Sequence, residues 1–195
     1  MPETSFGLVN RIIASVMNEH TTEIIRDYFE AHFSISCAIF SEAFPDADPI
    51  TSFRWHKDYG PSCQTHIMVY LDDAAETGGR TEFVNYDDSK RIDSTGYDPT
   101  NLESRIKNIE RILKDADVIS PQPAAGDILI FNATEIYHCG IHPSHKSRKV
   151  MILIIQPDFL PWAQSPNRVL FLNYPLNRDL SRENAFHPYY KEVDA

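Results

Sequence analysis

His56-Lys57-Asp58, His138 and Arg148 are the residues of this 195-residue chain best suited to chemistry. Two imidazoles and one carboxylate can cover one face of an octahedral metal ion and leave the opposite face open. That is the ligand set of non-heme ferrous iron in oxygenases. His138 stands eighty residues after Asp58, and Arg148 follows ten residues later. An arginine there offers a fixed planar cation able to clamp a carboxylate bound at the open face. If the four residues meet in space, the chemistry they allow is oxygen activation.

Elements of the right kind surround them. Phe53-Arg54-Trp55-His56-Lys57-Asp58 alternates as a strand does. Alternation points His56 and Asp58 to one face, so that two ligands from one strand grip one ion, and turns Trp55 into an apolar layer opposite. Further strands are expected over 35–40, 65–71, 80–84, 117–122, 128–131, from Tyr137 to Gly140, and over 148–156, the most apolar run. Residues 5–33 read as helical, with a second stretch capped by Thr21 or Thr22 whose apolar face ends at Phe33. Residues 85–100 read as a polar surface loop and 101–115 as an amphipathic helix, either a lid over the site or packed on the sheet. Many short strands with Gly and Pro turns argue for a sandwich or jelly roll. The organisation expected is a single domain over 1–195: N-terminal support in 1–50, a catalytic core in 51–156 and a C-terminal extension in 157–195.

The net charge of −10 disfavours non-specific binding to nucleic acid or to an anionic membrane surface. No apolar run approaches the ~20 residues that cross a bilayer, and the first residues lack a basic-then-apolar leader. Cys37, Cys63 and Cys139 form no CxxC pair, and each reads as a small buried apolar residue. The expectation is a soluble, cytoplasmic protein that acts on a small-molecule or peptide substrate, with no nucleic acid and no membrane as partner.

Trp55 to Gln156 resembles the Fe(II)- and 2-oxoglutarate-dependent dioxygenases. Met68-Val69-Tyr70-Leu71-Asp72-Asp73 followed by Gly78-Gly79-Arg80-Thr81-Glu82-Phe83 resembles the prolyl-4-hydroxylase-like branch, where a Tyr-Leu strand end leads to an acidic turn and Gly-Gly-x-Thr-x-Phe. Ala125-Gly126-Asp127-Ile128-Leu129-Ile130-Phe131 is similar to the strand that precedes the family's second histidine. The phytanoyl-CoA-hydroxylase-like branch shares part of this pattern and is the near rival. The resemblance covers roughly 100 residues and leaves the first 50 and last 39 unexplained.

It implies a mainly β fold, a double-stranded β-helix (jelly roll, cupin-like) with flanking N-terminal α-helices. It implies Fe(2+) held by His56, Asp58 and His138, with 2-oxoglutarate and O2 as cosubstrates and ascorbate as an optional reductant. Arg148 would pair with the distal carboxylate of 2-oxoglutarate, Tyr70 would support it, and Thr81 and Met68 would line the pocket. The implied reaction hydroxylates an unactivated carbon of a peptidyl residue or small metabolite, with release of succinate and CO2. The alternatives are a 2-oxoglutarate-independent cupin-type metalloenzyme and a non-catalytic jelly-roll binding module. The remaining histidines are given no site role: His142 and His145 belong to a loop, His66 faces away from the pocket, and His20, His32 and His187 have no evident partner. Lys57, Arg54, Arg80 and Arg91 stand as holders of an anionic substrate or as solvated charges.

Overall fold

Two sheets face one another, and most of their strands are rich in β-branched and aromatic residues. The computed structural model describes residues 11–45, 51–60, 63–97, 109, 112–164 and 170–173. In chain order its strands are β1 (His32–Ala43), β2 (Thr65–Tyr70), β3 (Arg80–Val84), β4 (Val118–Ile119), β5 (Ile128–Phe131), β6 (His138–Ile141), β7 (Arg148–Asp158) and β8 (Leu170–Asn173). The larger sheet runs β5-β2-β7-β1-β8 and the smaller β4-β3-β6. Neighbours are antiparallel except β8, which lies parallel to Cys37–Phe40 of β1.

Side-chain parity assigns each face a task. On β7, Met151, Leu153 and Ile155 are fully buried with Ile67 and Val69 of β2 under the N-terminal helices. The alternate residues Met68, Tyr70 and Val150 turn inward to Phe83 and Phe131, which joins the two sheets in one apolar layer. β1 changes parity once. A bulge between Ile35 and Cys37 leaves Ser36 unpaired in the register, with its hydroxyl on Ile154 O at 3.1 Å. Before the bulge Phe33 and Ile35 face the helices; after it Ala38 does, and Ile39 and Ser41 turn to the cavity between the sheets.

The helices differ from the sequence reading in their ends. Residues 11–16 are helical, and α1 (Glu19–Phe29) is a separate helix whose cap is Asn18, not Thr21 or Thr22: the Asn18 carboxamide accepts from Thr21 N. Phe33 belongs to β1. The short α2 (Ala74–Thr77) follows β2 and ends on Gly78 at φ 76°. The supposed surface loop after β3 is α3 (Tyr86–Ser94), capped by Asn85, whose side chain accepts from Asp88 N at 2.8 Å. Its inward face is largely polar and hid from an apolar count: Asp88 and Ser89 are buried beside Ile92, and Ser89 Oγ accepts from Tyr137 N at 2.9 Å. Of the helix expected over 101–115, residues 101–108, 110 and 111 lie outside the described residues; 109 and 112–115 are helical. Ile92, Ile109, Ile112, Val84 and Tyr137 form a third apolar cluster on the outer face of the smaller sheet, and Trp55 packs there as its parity required.

β8 was not legible in the C-terminal stretch. The cysteines divide: Cys139 is buried, Cys37 half-buried and Cys63 exposed, so Cys63 is not the core residue expected. Among the described residues no helix is long and apolar enough to cross a membrane.

Candidate metal centre

His56 is not on a strand. Residues 51–53 make a single 3-10 turn, and His56 then touches the smaller sheet through one bridge to His138. Both backbone hydrogen bonds of that bridge are 2.9 Å, and Asp58 N donates to Ala133 O, also at 2.9 Å. Three main-chain bonds thus hold the H-x-D segment where a full strand was expected. The shared direction of His56 and Asp58 survives because the extended backbone survives.

The ligand atoms of His56, Asp58 and His138 all lie within 4.8 Å of one another. His56 Nε2 is 3.6 Å from Asp58 Oδ1, and His138 Nε2 is 3.9 Å from Asp58 Oδ2. Each imidazole turns its other nitrogen to a carbonyl two residues back: His56 Nδ1 to Arg54 O at 2.7 Å and His138 Nδ1 to Ile136 O at 3.2 Å. A carbonyl only accepts, so each Nδ1 carries the proton and each Nε2 presents a lone pair to the centre. That is the tautomer a metal ligand needs. Burial, reinforced by His56, lowers His138 to a pKa of about 3 and keeps it neutral. The donor set therefore fits a divalent transition metal.

The centre opens into a cavity of about 700 Å3 between the sheets. Arg148 lines the same cavity. Its guanidinium is buried, Nη1 donates to Arg80 O at 2.7 Å, and Nε has no hydrogen-bond partner among the described residues. No carboxylate pairs with it among those residues, and burial lowers its pKa. Gly79 makes room for it: a Cβ there would stand 3.1 Å from Arg148 Cδ. Met68 and Thr81 line the cavity as well. Tyr70 is wholly buried, and its hydroxyl donates to Thr81 Oγ1 at 3.1 Å. Thr81 Oγ1 in turn lies 3.3 Å from Met68 Sδ.

Two histidines given no role in the sequence border this cavity. His66 does not face away. Residues 66, 68 and 70 share one parity, and His66 Nδ1 approaches Asp58 Oδ2 to 3.4 Å. The alternation of β2 carries this signal in the sequence, since 66 and 70 lie four residues apart on one strand. Burial, with Asp58 opposing, lowers His66 to a pKa of about 4. His142 is on the loop after β6 as expected, but its ring packs on Phe53 at 4.7 Å and lines the cavity.

Among the surface cations considered for substrate, Lys57 pairs with Asp93 at 2.7 Å, Arg80 with Glu82 at 2.6 Å and Arg91 with Asp88 at 2.5 Å. Burial pushes the thiols of Cys37 and Cys139 up to about 11 and about 12, which leaves neither a ready nucleophile.

No protein-family model matches the chain, and no curated protein sequence matches it. Solved structures do. EctD from S. alaskensis, crystallised with 2-oxoglutarate and 5-hydroxyectoine, superimposes with a TM-score of 0.51 at 10% identity, over 75% of this chain and 52% of its own. The fold is a jelly roll. Two further matches are looser. ThoJ, a non-heme monooxygenase in a nickel complex, gives 0.46 at 10% identity over 73% of this chain and 51% of its own. SnoK, a non-heme alpha ketoglutarate dependent carbocyclase from nogalamycin biosynthesis, gives 0.40 at 12% identity over 58% and 47%. The chain spans about half the length of each of these proteins. In the jelly roll described above, the three donors and Arg148 all face the space between its two sheets.

Proposed function

We propose that the protein is an Fe(II)- and 2-oxoglutarate-dependent oxygenase that hydroxylates an unactivated carbon of a peptidyl residue or small metabolite. One observation carries this reading: the three-donor cluster shares its cavity with a buried arginine that no carboxylate neutralises among the described residues. A buried cation without a counter-charge is costly, and a site that binds a dicarboxylate recovers that cost when it fills. A cupin-type enzyme without a keto acid leaves Arg148 with no task.

His56, Asp58 and His138 would hold the metal by Nε2, one carboxylate oxygen and Nε2. When bound, ferrous iron supplies oxygen activation coupled to oxidation of the keto acid. The chain's own contribution is placement. The Nδ1–H groups of His56 and His138 are spent on backbone carbonyls, so neither ring can rotate its donor away without losing a hydrogen bond. Arg148, which lines the cavity, would receive the distal carboxylate of 2-oxoglutarate with its guanidinium. Thr81 and Met68 would bound that end of the cosubstrate, and Tyr70, through its hydrogen bond to Thr81, would keep the threonine in place. The apolar walls, among them Ile39, Phe131, Val150 and Ile152, would exclude water from the reacting carbon.

Ferrous iron and 2-oxoglutarate added to the protein without oxygen should give the weak visible charge-transfer band of a chelated 2-oxo acid. Absence of the band, together with absence of 2-oxoglutarate binding by calorimetry, overturns the reading.

A further inference from the structure

His66 joins the centre to a chain of amides that the chemistry above does not use. Gln156 Nε2 donates to Gln64 Oε1 at 3.3 Å. That bond turns the other end of the Gln64 carboxamide, its NH2, toward His66 Nε2 at 3.0 Å. A carboxamide nitrogen only donates, so His66 Nε2 accepts and the ring proton sits on Nδ1. Nδ1 faces Asp58 Oδ2 at 3.4 Å, and a small rotation of the carboxylate closes that gap to a hydrogen bond. Phe131 packs in a T-shaped arrangement against this ring at 5.7 Å and against that of His138 at 5.1 Å, which restricts the ring on that side. Gly60 leaves the space the Gln64 carboxamide fills: a Cβ there would come 2.6 Å from Gln64 Oε1.

Resting on the reading of Asp58 as a metal ligand, we propose that His66 is a positioning residue: fixed by Gln64 and Gln156, it donates to Asp58 Oδ2 and leaves Oδ1 to the metal. A carboxylate without such a partner can bind through either oxygen or both. Bidentate binding would take one of the positions that the cosubstrate needs. Held through Oδ2, Asp58 stays monodentate. His66 is not itself a fourth ligand, because its one lone pair is already given to Gln64.

The test uses the whole chain and Co(II) as the probe, read by its visible d–d absorption. The carboxamide nitrogen of an asparagine occupies nearly the place of a histidine Nδ1, so His66→Asn keeps the donor, whereas His66→Phe keeps the bulk and removes it. His66→Asn should bind Co(II) with the wild-type spectrum and near wild-type affinity. His66→Phe should bind about 10- to 100-fold more weakly, the range for loss of an outer hydrogen-bond partner, with a shifted d–d band. Gln64→Leu frees the ring tautomer without touching His66 and should weaken binding by a smaller factor; it carries the test should His66→Phe not fold. Wild-type Co(II) binding by both His66→Phe and Gln64→Leu overturns the proposal. So does equal impairment of His66→Asn and His66→Phe with the spectrum of a site short of one nitrogen, which makes His66 a ligand. If the wild-type protein binds no Co(II), the metal reading of Asp58 falls and this proposal falls with it; the first two outcomes overturn the role of His66 alone.

Discussion

His56 and His138 exchange both backbone hydrogen bonds, N to O in each direction, at 2.9 Å. Their rings lie 4.3 Å apart as a consequence of that pairing. A loop residue and the first residue of β6 are thereby set as one cross-strand pair, the register that brings two imidazoles to one ion. The centre is therefore only as firm as this bridge and the Asp58–Ala133 bond beside it.

Metal binding should stabilise the fold through this pair. A divalent ion at 100 times its Kd adds about 2.7 kcal/mol, which raises the unfolding midpoint of a chain this size by roughly 5–10 °C. His138→Ala should lose that rise and the tight binding with it, because a ligand is removed rather than its support. Thermal unfolding with and without Co(II) checks this, and an equal rise in the variant would show that the ion binds elsewhere.

Replacing Arg148 separates the cosubstrate from the metal. Arg148→Ala should weaken 2-oxoglutarate binding by roughly 2–5 kcal/mol, the usual cost of truncating one partner of a buried charge pair, with metal affinity kept. Arg148→Met should unfold at the same temperature as the unliganded wild type or higher, since it removes a buried cation with no carboxylate partner among the described residues. Calorimetry of both ligands against each variant is the measurement. Lost metal binding with unchanged cosubstrate affinity would reverse the assignment.

Acid should destabilise the metal-free protein earlier than its carboxylates alone would. His138 and His66 have folded pKa values of about 3 and about 4, below the ordinary 6.5. The unfolded chain therefore takes up protons first. Stability is full above pH 6.5 and falls as the pH drops toward 4 and then 3, by at most about 1.4 kcal/mol per pH unit for each imidazole. Denaturant unfolding between pH 7.5 and 5 should show this slope, and His138→Gln should flatten it. An unchanged slope in that variant would mean that His138 is not held neutral by burial.

A core substitution on the far face of β7 should leave the centre alone. Leu153 is fully buried under the helices, on the parity opposite to Arg148, Val150 and Ile152. Leu153→Ala should cost about 2–5 kcal/mol and leave Co(II) affinity unchanged as long as the protein is folded. Weakened metal binding in the folded variant would show that the two faces of the strand are coupled.

The parts of the centre legible in the sequence were those written as residue type and strand period. β3 and β5 fall on their expected bounds because their apolar and β-branched residues alternate or run between clear turns. His56, Asp58, His138 and Arg148 stood out by chemistry alone. The stretch around His56 read as a strand because alternation is also what a single extended bridge looks like locally; only the distant His138 backbone distinguishes the two. α3 was hidden because it buries Asp88 and Ser89 through polar partners, Arg91 for the carboxylate and Tyr137 N for the hydroxyl, rather than through apolar area. The relay from Gln156 through Gln64 joins residues far apart in the chain, and no local pattern carries it.

Gly79 offers a steric test of the arginine clamp. Its backbone is not among the left-handed glycines Gly78, Gly96 and Gly126, so an alanine meets no conformational penalty there. The new Cβ would stand 3.1 Å from Arg148 Cδ and 3.2 Å from the Cα of Pro143. The Pro143 backbone is the stiffer neighbour, so the arginine stem must move. Gly79→Ala should cost about 1–3 kcal/mol of overpacking, lower 2-oxoglutarate affinity by displacing the guanidinium, and leave metal affinity as it was. Wild-type affinity for 2-oxoglutarate in this variant would mean that the cation tolerates displacement, and that its present position is not what holds the carboxylate.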